Sequence, residues 1–277
     1  MLSVGKVGTV KAFNRIKENN RMRNHAWRLR YSLLALMLVA ASQESAATDK
    51  AQKIETKEQP FTLKLGASRV IYSPESGVAT LTAMNVQDYP MLVKSEVFGE
   101  DKKTNAPFIV TPPLFRLDGH QQSRLRIVGT GGDFAKDREA LQWLCVTGIP
   151  PKGDDEWAKK EGQAVKPTHA TINVQLSVSS CIKLLVRPSS VKGSPMDFAS
   201  SLVWQRHGDK VKVTNPTPFY MNLQSASVGG KKIDGLEYIP PQGERMFALP
   251  QGAVGTVEWR IVTDFGGESR PYTSTLQ

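Results

Sequence analysis

The sequence lacks the short motifs that identify the common classes of enzyme. No G-x-S-x-G nucleophile elbow, H-E-x-x-H zinc motif, Walker phosphate loop or G-x-G-x-x-G dinucleotide loop occurs in the 277 residues. The glycine-rich stretch 129–133 lacks the lysine and hydroxyl residue of a phosphate loop and is typical of a turn. The acidic run 154–156 lies in a polar segment with nothing to raise a carboxyl pKa. The sequence therefore predicts no catalytic residue, no cofactor and no enzymatic activity.

The sequence also lacks an apolar run long enough to cross a membrane as a helix. The run at residues 31–41 has the length of a signal-peptide hydrophobic region, follows a basic segment, and precedes small residues at 45–47 that suit cleavage. We expect residues 1–47 to be a leader and the exported chain to begin near Thr48. A start at Met22 would leave a signal peptide of ordinary length, so residues 1–21 are consistent with an over-extended start. A membrane anchor or a basic nucleic-acid tail is the alternative.

The basic character of the whole chain comes largely from this leader. The formal net charge is +10, with 36 basic and 26 acidic residues. Residues 1–47 hold 8 of the basic and 2 of the acidic residues, which leaves 28 against 24 and a net charge of +4. This modest balance is not a nucleic-acid signature, and no nucleic-acid partner is predicted.

Cysteine and histidine are scarce. The two cysteines, Cys145 and Cys181, both lie in the exported part, 36 residues apart. In an oxidising compartment they are expected to form a disulfide, with two free thiols as the alternative. The four histidines are scattered, so no metal site is predicted.

Short alternating or β-branched stretches, separated by Gly, Pro, Asn and Asp, dominate the exported chain. Only residues 134–142 have a helical pattern. Strands without intervening helices favour an all-β fold of β-sandwiches over a parallel sheet. The Pro- and Ser-rich stretch 187–196 divides the chain into domains at 48–188 and 189–277. The polar stretch 151–171 is predicted to be a long loop.

The stretch 172–188, INVQLSVSSCIKLLVRP, raises the main functional question. Apolar residues alternate over 172–178, and a second apolar run follows Cys181 with Lys183 inside it. The first run is either an ordinary core strand or an exposed edge. Because it contains neither charge nor proline, an exposed edge would suit pairing with a strand of another protein. Lys183, inside an apolar run, could be a strand residue whose charge reaches solvent, and Arg69, just before an apolar strand, could be a surface charge.

Five segments of the exported chain together resemble one protein family. They are GASRVIY with Arg69, TPPLFRLD at 111–118, FAKDREALQWLCVTGIPP at 134–151, CIKLLVRP at 181–188 and NPTPFYMNL at 215–223. The chain resembles the periplasmic, PapD-like chaperones of the chaperone–usher pathway. The paired cysteines and long loop are similar to its long-loop subfamily, which serves capsular antigens and thin adhesive fibres, including the capsular-antigen and pH 6-antigen chaperones of Yersinia.

The resemblance implies two immunoglobulin-like β-sandwich domains joined at an angle and a location in the periplasm. It implies a donor strand that completes an unfinished fibre subunit, one subunit per chaperone, and later release of the subunit at an outer-membrane usher. It assigns roles to residues of this sequence: Ala170, Ile172, Val174, Leu176 and Val178 as the donor strand, Arg69 and Lys183 as the anchor for the subunit's C-terminal carboxylate, and Glu139, Arg187 and Asp264 as an interdomain ion network.

Two other functions remain open on the residues alone. A surface adhesin built from Ig-like domains should carry an alternating N-terminal donor strand, and residues 48–59 have no such row. A hydrolase on a β-sandwich would need a catalytic constellation that the sequence lacks. An exposed apolar row would also favour self-association of the free chaperone.

Overall fold

A computed structural model describes residues 61–152, 155–158 and 176–277. Within these ranges the regular secondary structure is almost entirely β-strand, which confirms the predicted fold class. No helix in the described part is long and apolar enough to span a membrane. The strands are β1 Leu63–Leu65, β2 Arg69–Tyr72, β3 Val78–Asn85, β4 Met91–Phe98, β5 Phe108–Thr111, β6 Leu114–Leu117, β7 Gln122–Gly129, β8 Ala140–Ile149, β9 Val178–Val186, β10 Val203–His207, β11 Lys210–Asn215, β12 Met221–Val228, β13 Lys231–Lys232, β14 Tyr238–Ile239, β15 Gly243–Ala248, β16 Thr256–Ile261 and β17 Tyr272–Thr275.

The first nine strands form a sandwich of two sheets. One sheet has the order β1-β3-β7-β5 and the other the order β2-β9-β8-β4-β6. Strand β4 illustrates the two-residue period, because Met91, Val93 and Val97 are buried while Lys94 and Glu96 are exposed. The inward-facing side chains of both sheets pack into one hydrophobic core.

The chain changes sheets between β1 and β2. Strand β1 pairs antiparallel with β3 in the first sheet, whereas β2 pairs parallel with β9 in the second. The parallel register is short, running from Arg69 opposite Lys183 to Tyr72 opposite Val186. Strand β9 is longer than this pairing, and its residues 178–182 pair with β8 alone within the described chain.

Strands β10 to β17 form a second sandwich. One sheet has the order β10-β11-β15 and the other the order β13-β12-β16-β17, with β14 also pairing with β12. Its core is built around Trp204 and Trp259, both fully buried, with ring centroids 5.3 Å apart. Between the sandwiches the chain forms a short helix, α1, at Pro195–Phe198, followed by one 3-10 turn at Ala199–Ser201.

The helix predicted at 134–142 is wrong. Residues 134–139 form no helix, and β8 begins at Ala140. The tertiary environment explains the difference, because Leu141 is buried against Leu185 and Tyr220, and Ala140 pairs with Val186. Packing between strands therefore overrides the local helical pattern.

The strand expected at 172–178 is present only at its end in the described residues. Strand β9 begins at Val178, and Leu176 and Ser177 lie outside it. Residues 172–175 are outside the described part of the chain.

Each sandwich contains a buried asparagine at the corner where the chain passes from one sheet to the other. The side-chain amide of Asn85 donates to the carbonyls of Tyr89, Leu117 and Asp118, and its Oδ1 accepts from the backbone of Gln87. Asn215 repeats this arrangement, with bonds to the carbonyls of Phe219, Ile239 and Pro240 and to the backbone of Thr217. In both cases the next strand starts six residues later, at a methionine. One side chain thus satisfies several buried backbone groups where the chain leaves one sheet for the other.

We expect Asn85→Ala and Asn215→Ala each to lower the free energy of unfolding by about 2–3 kcal/mol, because the buried carbonyls lose their donors. Urea denaturation of residues 48–277 measures the change. Asn105, which is exposed, supplies the control, and Asn105→Ala should change stability by less than about 0.5 kcal/mol. Equal effects at all three positions would contradict the proposed structural role of the corner amides.

Candidate functional site

Two basic side chains meet where β2 first pairs with β9. Arg69 and Lys183 are direct partners in the parallel register, so both occupy the point at which the pairing begins. Arg69 is only 8% exposed, and Lys183 is half-buried. Two like charges at the start of a short pairing are electrostatically unfavourable, which suggests a role other than stability.

Arg69 is incompletely satisfied in its buried position. Its Nη1 donates to the carbonyl of Val262 at 3.2 Å, whereas its Nε has no hydrogen-bond partner within the described chain. Burial lowers the pKa of the guanidinium, and the opposing effects of Asp264 and Glu139 are smaller. A buried guanidinium N–H without an acceptor is unfavourable, so Arg69 is held in this position at a cost in stability.

Lys183 is surrounded by neutral groups and by other cations. Its Nζ donates to Asn222 Oδ1 at 2.5 Å and lies 5.1 Å from the ring centroid of Tyr238 and 5.9 Å from that of Trp143. The pKa of Lys183 is lowered to about 8, mainly by burial and then by the positive charge of Arg69. An amide oxygen and aromatic faces orient the ammonium without neutralising it.

No carboxylate forms a salt bridge with Arg69 or Lys183 in the part of the chain described. The acidic residues around the pair have other partners. Arg245 binds Glu237, and both carboxylate oxygens of Glu100 accept hydrogen bonds from the hydroxyls of Tyr220 and Tyr238. The Arg69–Lys183 pair therefore presents two neighbouring positive charges suited to one carboxylate.

The structure also brings together Glu139, Arg187 and Asp264. Arg187 Nε donates to Glu139 Oε1 at 2.7 Å, and its two terminal nitrogens donate to the carboxylate of Asp264, each at 2.7 Å. Glu139 Oε2 accepts from the backbone N–H of Tyr220 at 2.7 Å. Burial raises the pKa of the Glu139 carboxyl, against the opposing effect of Arg187. These bonds connect the first sandwich, with Glu139 and Arg187, to the second, with Asp264.

Two of the five expected donor-strand residues lie in the described chain. Leu176 and Val178 are 69% and 39% exposed, whereas Ala170, Ile172 and Val174 lie outside the described residues. Val178 points to the same face of β9 as the buried Leu184 and Val186, which belong to the first core. The exposed apolar side chain therefore extends an inward-facing row past the end of the core.

The expected disulfide is present. Cys145 and Cys181 are register partners on β8 and β9, with their sulfur atoms 2.02 Å apart. The next pair along the same face is Trp143 and Lys183. The bond thus joins β9 to β8 close to Lys183, on the side of β9 away from its free edge.

Three residues of the site were not predicted from the sequence: Asn222, Trp143 and Tyr238. Trp143 carries a usable signal, because it lies two residues before Cys145 and therefore shares the face of that cysteine. Asn222 and Tyr238 belong to the second sandwich, and no local pattern indicates that they approach β9.

Comparisons with known proteins agree over nearly all of the described chain. Residues 62–192 match the family model described as pili and flagellar-assembly chaperone, PapD N-terminal domain. Residues 197–273 match the pili assembly chaperone PapD, C-terminal domain. The curated chaperone protein AfaB of Escherichia coli is 58% identical over 73% of this chain and 82% of its own. The chaperone protein PsaB of Yersinia pestis is 47% identical over 81% and 87%.

A chaperone whose structure was solved together with a pilin is also similar to this chain. The SafB chaperone of Salmonella enterica, whose structure was solved in complex with the SafA pilin, is 49% identical to this chain with a TM-score of 0.72. The match covers 80% of this chain and all of that one.

Proposed function

This chain belongs to the PapD family of pili-assembly chaperones, and we propose that it captures one fibre subunit along the free edge of β9 and at the Arg69–Lys183 pair. Like its homologues, which are chaperone proteins, it is a chaperone and not an enzyme.

The observation that carries the proposal is the short parallel pairing of β2. Strand β2 occupies one edge of β9 only from Lys183 onwards. A strand from a partner could continue along the same edge, beside residues 178–182, until it met Arg69. Such an addition of a strand to an open sheet edge satisfies backbone groups that are otherwise unpaired.

Charge selects the direction of the added strand. A strand that runs parallel to β9 would place its C-terminus at Arg69 and Lys183, where two cations would bind its carboxylate. An antiparallel strand would place an N-terminal ammonium, or an internal peptide, at the same point. We therefore propose that the end of the subunit chain lies at the pair and that its last strand runs parallel to β9.

The anchor also fixes the register of the added strand. A slip of one residue would turn every side chain of that strand to the opposite face. With the end of the chain held, Leu176 and Val178 would enter the open core of the subunit, and Ala170, Ile172 and Val174 would continue the row. The SafB–SafA complex supports a pilin-type subunit as the partner.

We further propose that the chaperone acts in the periplasm and delivers its subunit to an outer-membrane usher. Residues 1–47 have the features of a leader, and the Cys145–Cys181 bond suits an oxidising compartment. At the usher, the N-terminal strand of the next subunit would replace the donor strand. No cofactor is required for this exchange of strands.

The anchor is tested by Arg69→Ala and Lys183→Ala. We expect either substitution to weaken capture of the SafA pilin, used as the probe, by about 2–5 kcal/mol, because one buried cation is removed from the carboxylate. The pilin is unfolded in denaturant, diluted into the chaperone, and the soluble complex is quantified.

Lys210→Ala is the matched control, since Lys210 is exposed on the second sandwich. It should capture pilin as the wild type does, and a pilin extended by several residues at its C-terminus should behave like the anchor variants. Wild-type yield from Lys183→Ala would refute the anchor role of that residue.

The free edge is tested by Val178→Asp and Leu176→Asp. Because these side chains are exposed in the free protein, the new carboxylates remain hydrated and the melting temperature should shift by less than about 2 °C. Capture of the pilin should be lost, since an apolar cleft cannot accept an unpaired charge. Ser177→Asp, one position away, is the control and should be milder. A large loss of stability at every protein concentration would instead identify 176–178 as ordinary core.

The pH dependence of capture follows from the pKa of Lys183. In the free chaperone this pKa is lowered to about 8, and a bound carboxylate would raise it, so binding is linked to proton uptake. The anchor contribution is complete below about pH 8 and decreases as pH rises from there towards the pKa in the complex, by at most about tenfold in Kd per pH unit. Dissociation constants between pH 6.5 and 9.5 measure this slope. Lys183→Arg, which stays charged, should show a flat profile, and a flat wild-type profile would contradict the linkage.

A further inference from the structure

A turn of the second sandwich carries an almost completely exposed phenylalanine. Phe265 is 95% exposed, more than any other large apolar side chain in the described chain. Its turn is held by hydrogen bonds from Gly266 N to Thr263 O at 2.9 Å and from Thr263 N to Gly267 O at 2.8 Å. The exposure of Phe265 therefore belongs to a defined turn rather than to a loose chain end.

Both sides of this turn are fixed against the first sandwich. Asp264 is bound by the two terminal nitrogens of Arg187. Gly266 has a φ of +83° and packs so closely on Ser68 that a side chain at this position would overlap the Ser68 hydroxyl. Phe265 lies between these two contacts, and Ser68 is the residue immediately before Arg69.

Val262, just before the turn, contacts Arg69 directly and is linked to Lys183 through Asn222. The carbonyl of Val262 accepts from Arg69 Nη1, and the backbone N–H of Val262 donates to Asn222 O at 2.8 Å. Asn222 is also the acceptor for Lys183 Nζ. The Phe265 turn is thus continuous with the surface at which we place the C-terminus of the subunit.

We propose that Phe265 forms an apolar contact with the captured subunit, beside its anchored C-terminal strand. This inference rests on the proposed function, because the occupant is the subunit held by Arg69 and Lys183. A subunit that lacks a strand exposes apolar core side chains at the rim of its cleft, and an aromatic ring on a fixed turn can cover such a rim with little loss of conformational freedom. The second sandwich would then contribute directly to subunit binding as well as supporting the anchor.

The test uses Phe265→Ala, Phe265→Leu and the SafA pilin as the probe. Removing the ring should weaken pilin binding by about tenfold to a hundredfold, the effect of losing one buried aromatic contact. Phe265→Leu, which keeps an apolar side chain, should restore part of the affinity. The melting temperature of each free variant should equal that of the wild type, because Phe265 is exposed in the free protein.

Val254→Ala is the matched control, since Val254 is also exposed, at 67%, in a turn of the second sandwich that packs near Gly229. It should bind pilin with wild-type affinity. If Phe265→Ala binds within twofold of the wild type while Lys183→Ala does not bind, the contact is refuted and the proposed function stands. If Lys183→Ala binds as the wild type does, the proposed anchor itself fails, whatever Phe265→Ala shows.

Discussion

The short parallel pairing of β2 with β9 is the constraint on which the rest of the site depends. Because β2 begins at Arg69, opposite Lys183, the pairing covers only the last four residues of β9. The same geometry leaves the preceding edge open and places two cations at its end. A longer β2 would close the edge, and an antiparallel one would remove the register that sets Arg69 beside Lys183.

The ion network keeps those cations available. Glu139 and Asp264 are the carboxylates whose fields reach Arg69, yet both are bound directly by Arg187. Their bonds hold the second sandwich where Val262 and Asn222 can contact Arg69 and Lys183. Breaking a buried pair of this kind leaves an uncompensated charge, so the network constrains the site more strongly than an exposed ion pair would. Neutral groups thus orient Arg69 and Lys183. The carboxylates of Glu139 and Asp264 are bound by Arg187 instead.

The sequence predicts the fold class well because alternation at a period of two is a local property, and β4 shows it in full. The disulfide was also predictable, since the sequence has only two cysteines. The assignment of Arg69, Lys183, Glu139, Arg187 and Asp264 came from resemblance to a family, because no local pattern relates partner residues that are at least 48 positions apart. The helical pattern at 134–142 gave a wrong prediction for the same reason. The distant pairing of Ala140 with Val186 makes the chain form strand β8 from Ala140 onwards. Asn222 and Tyr238 were not predicted because they lie in the second sandwich and contact Lys183 of the first.

The lowered pKa of Lys183 shows that the ammonium is held in an unfavourable environment. Burial and nearby cations make the ammonium less stable there than in water, and the Nε of Arg69 lacks an acceptor within the described residues. The free chaperone therefore holds both side chains in an unfavourable state, supported by the packing of two sandwiches. Under the proposed function, a carboxylate bound at the pair would neutralise charge, so it would relieve part of this unfavourable state in addition to forming new bonds. An exposed lysine offers no such gain, because water already satisfies it. The end of a chain, which alone carries a backbone carboxylate, would in this proposal be distinguished from every internal peptide bond that could lie along the same edge.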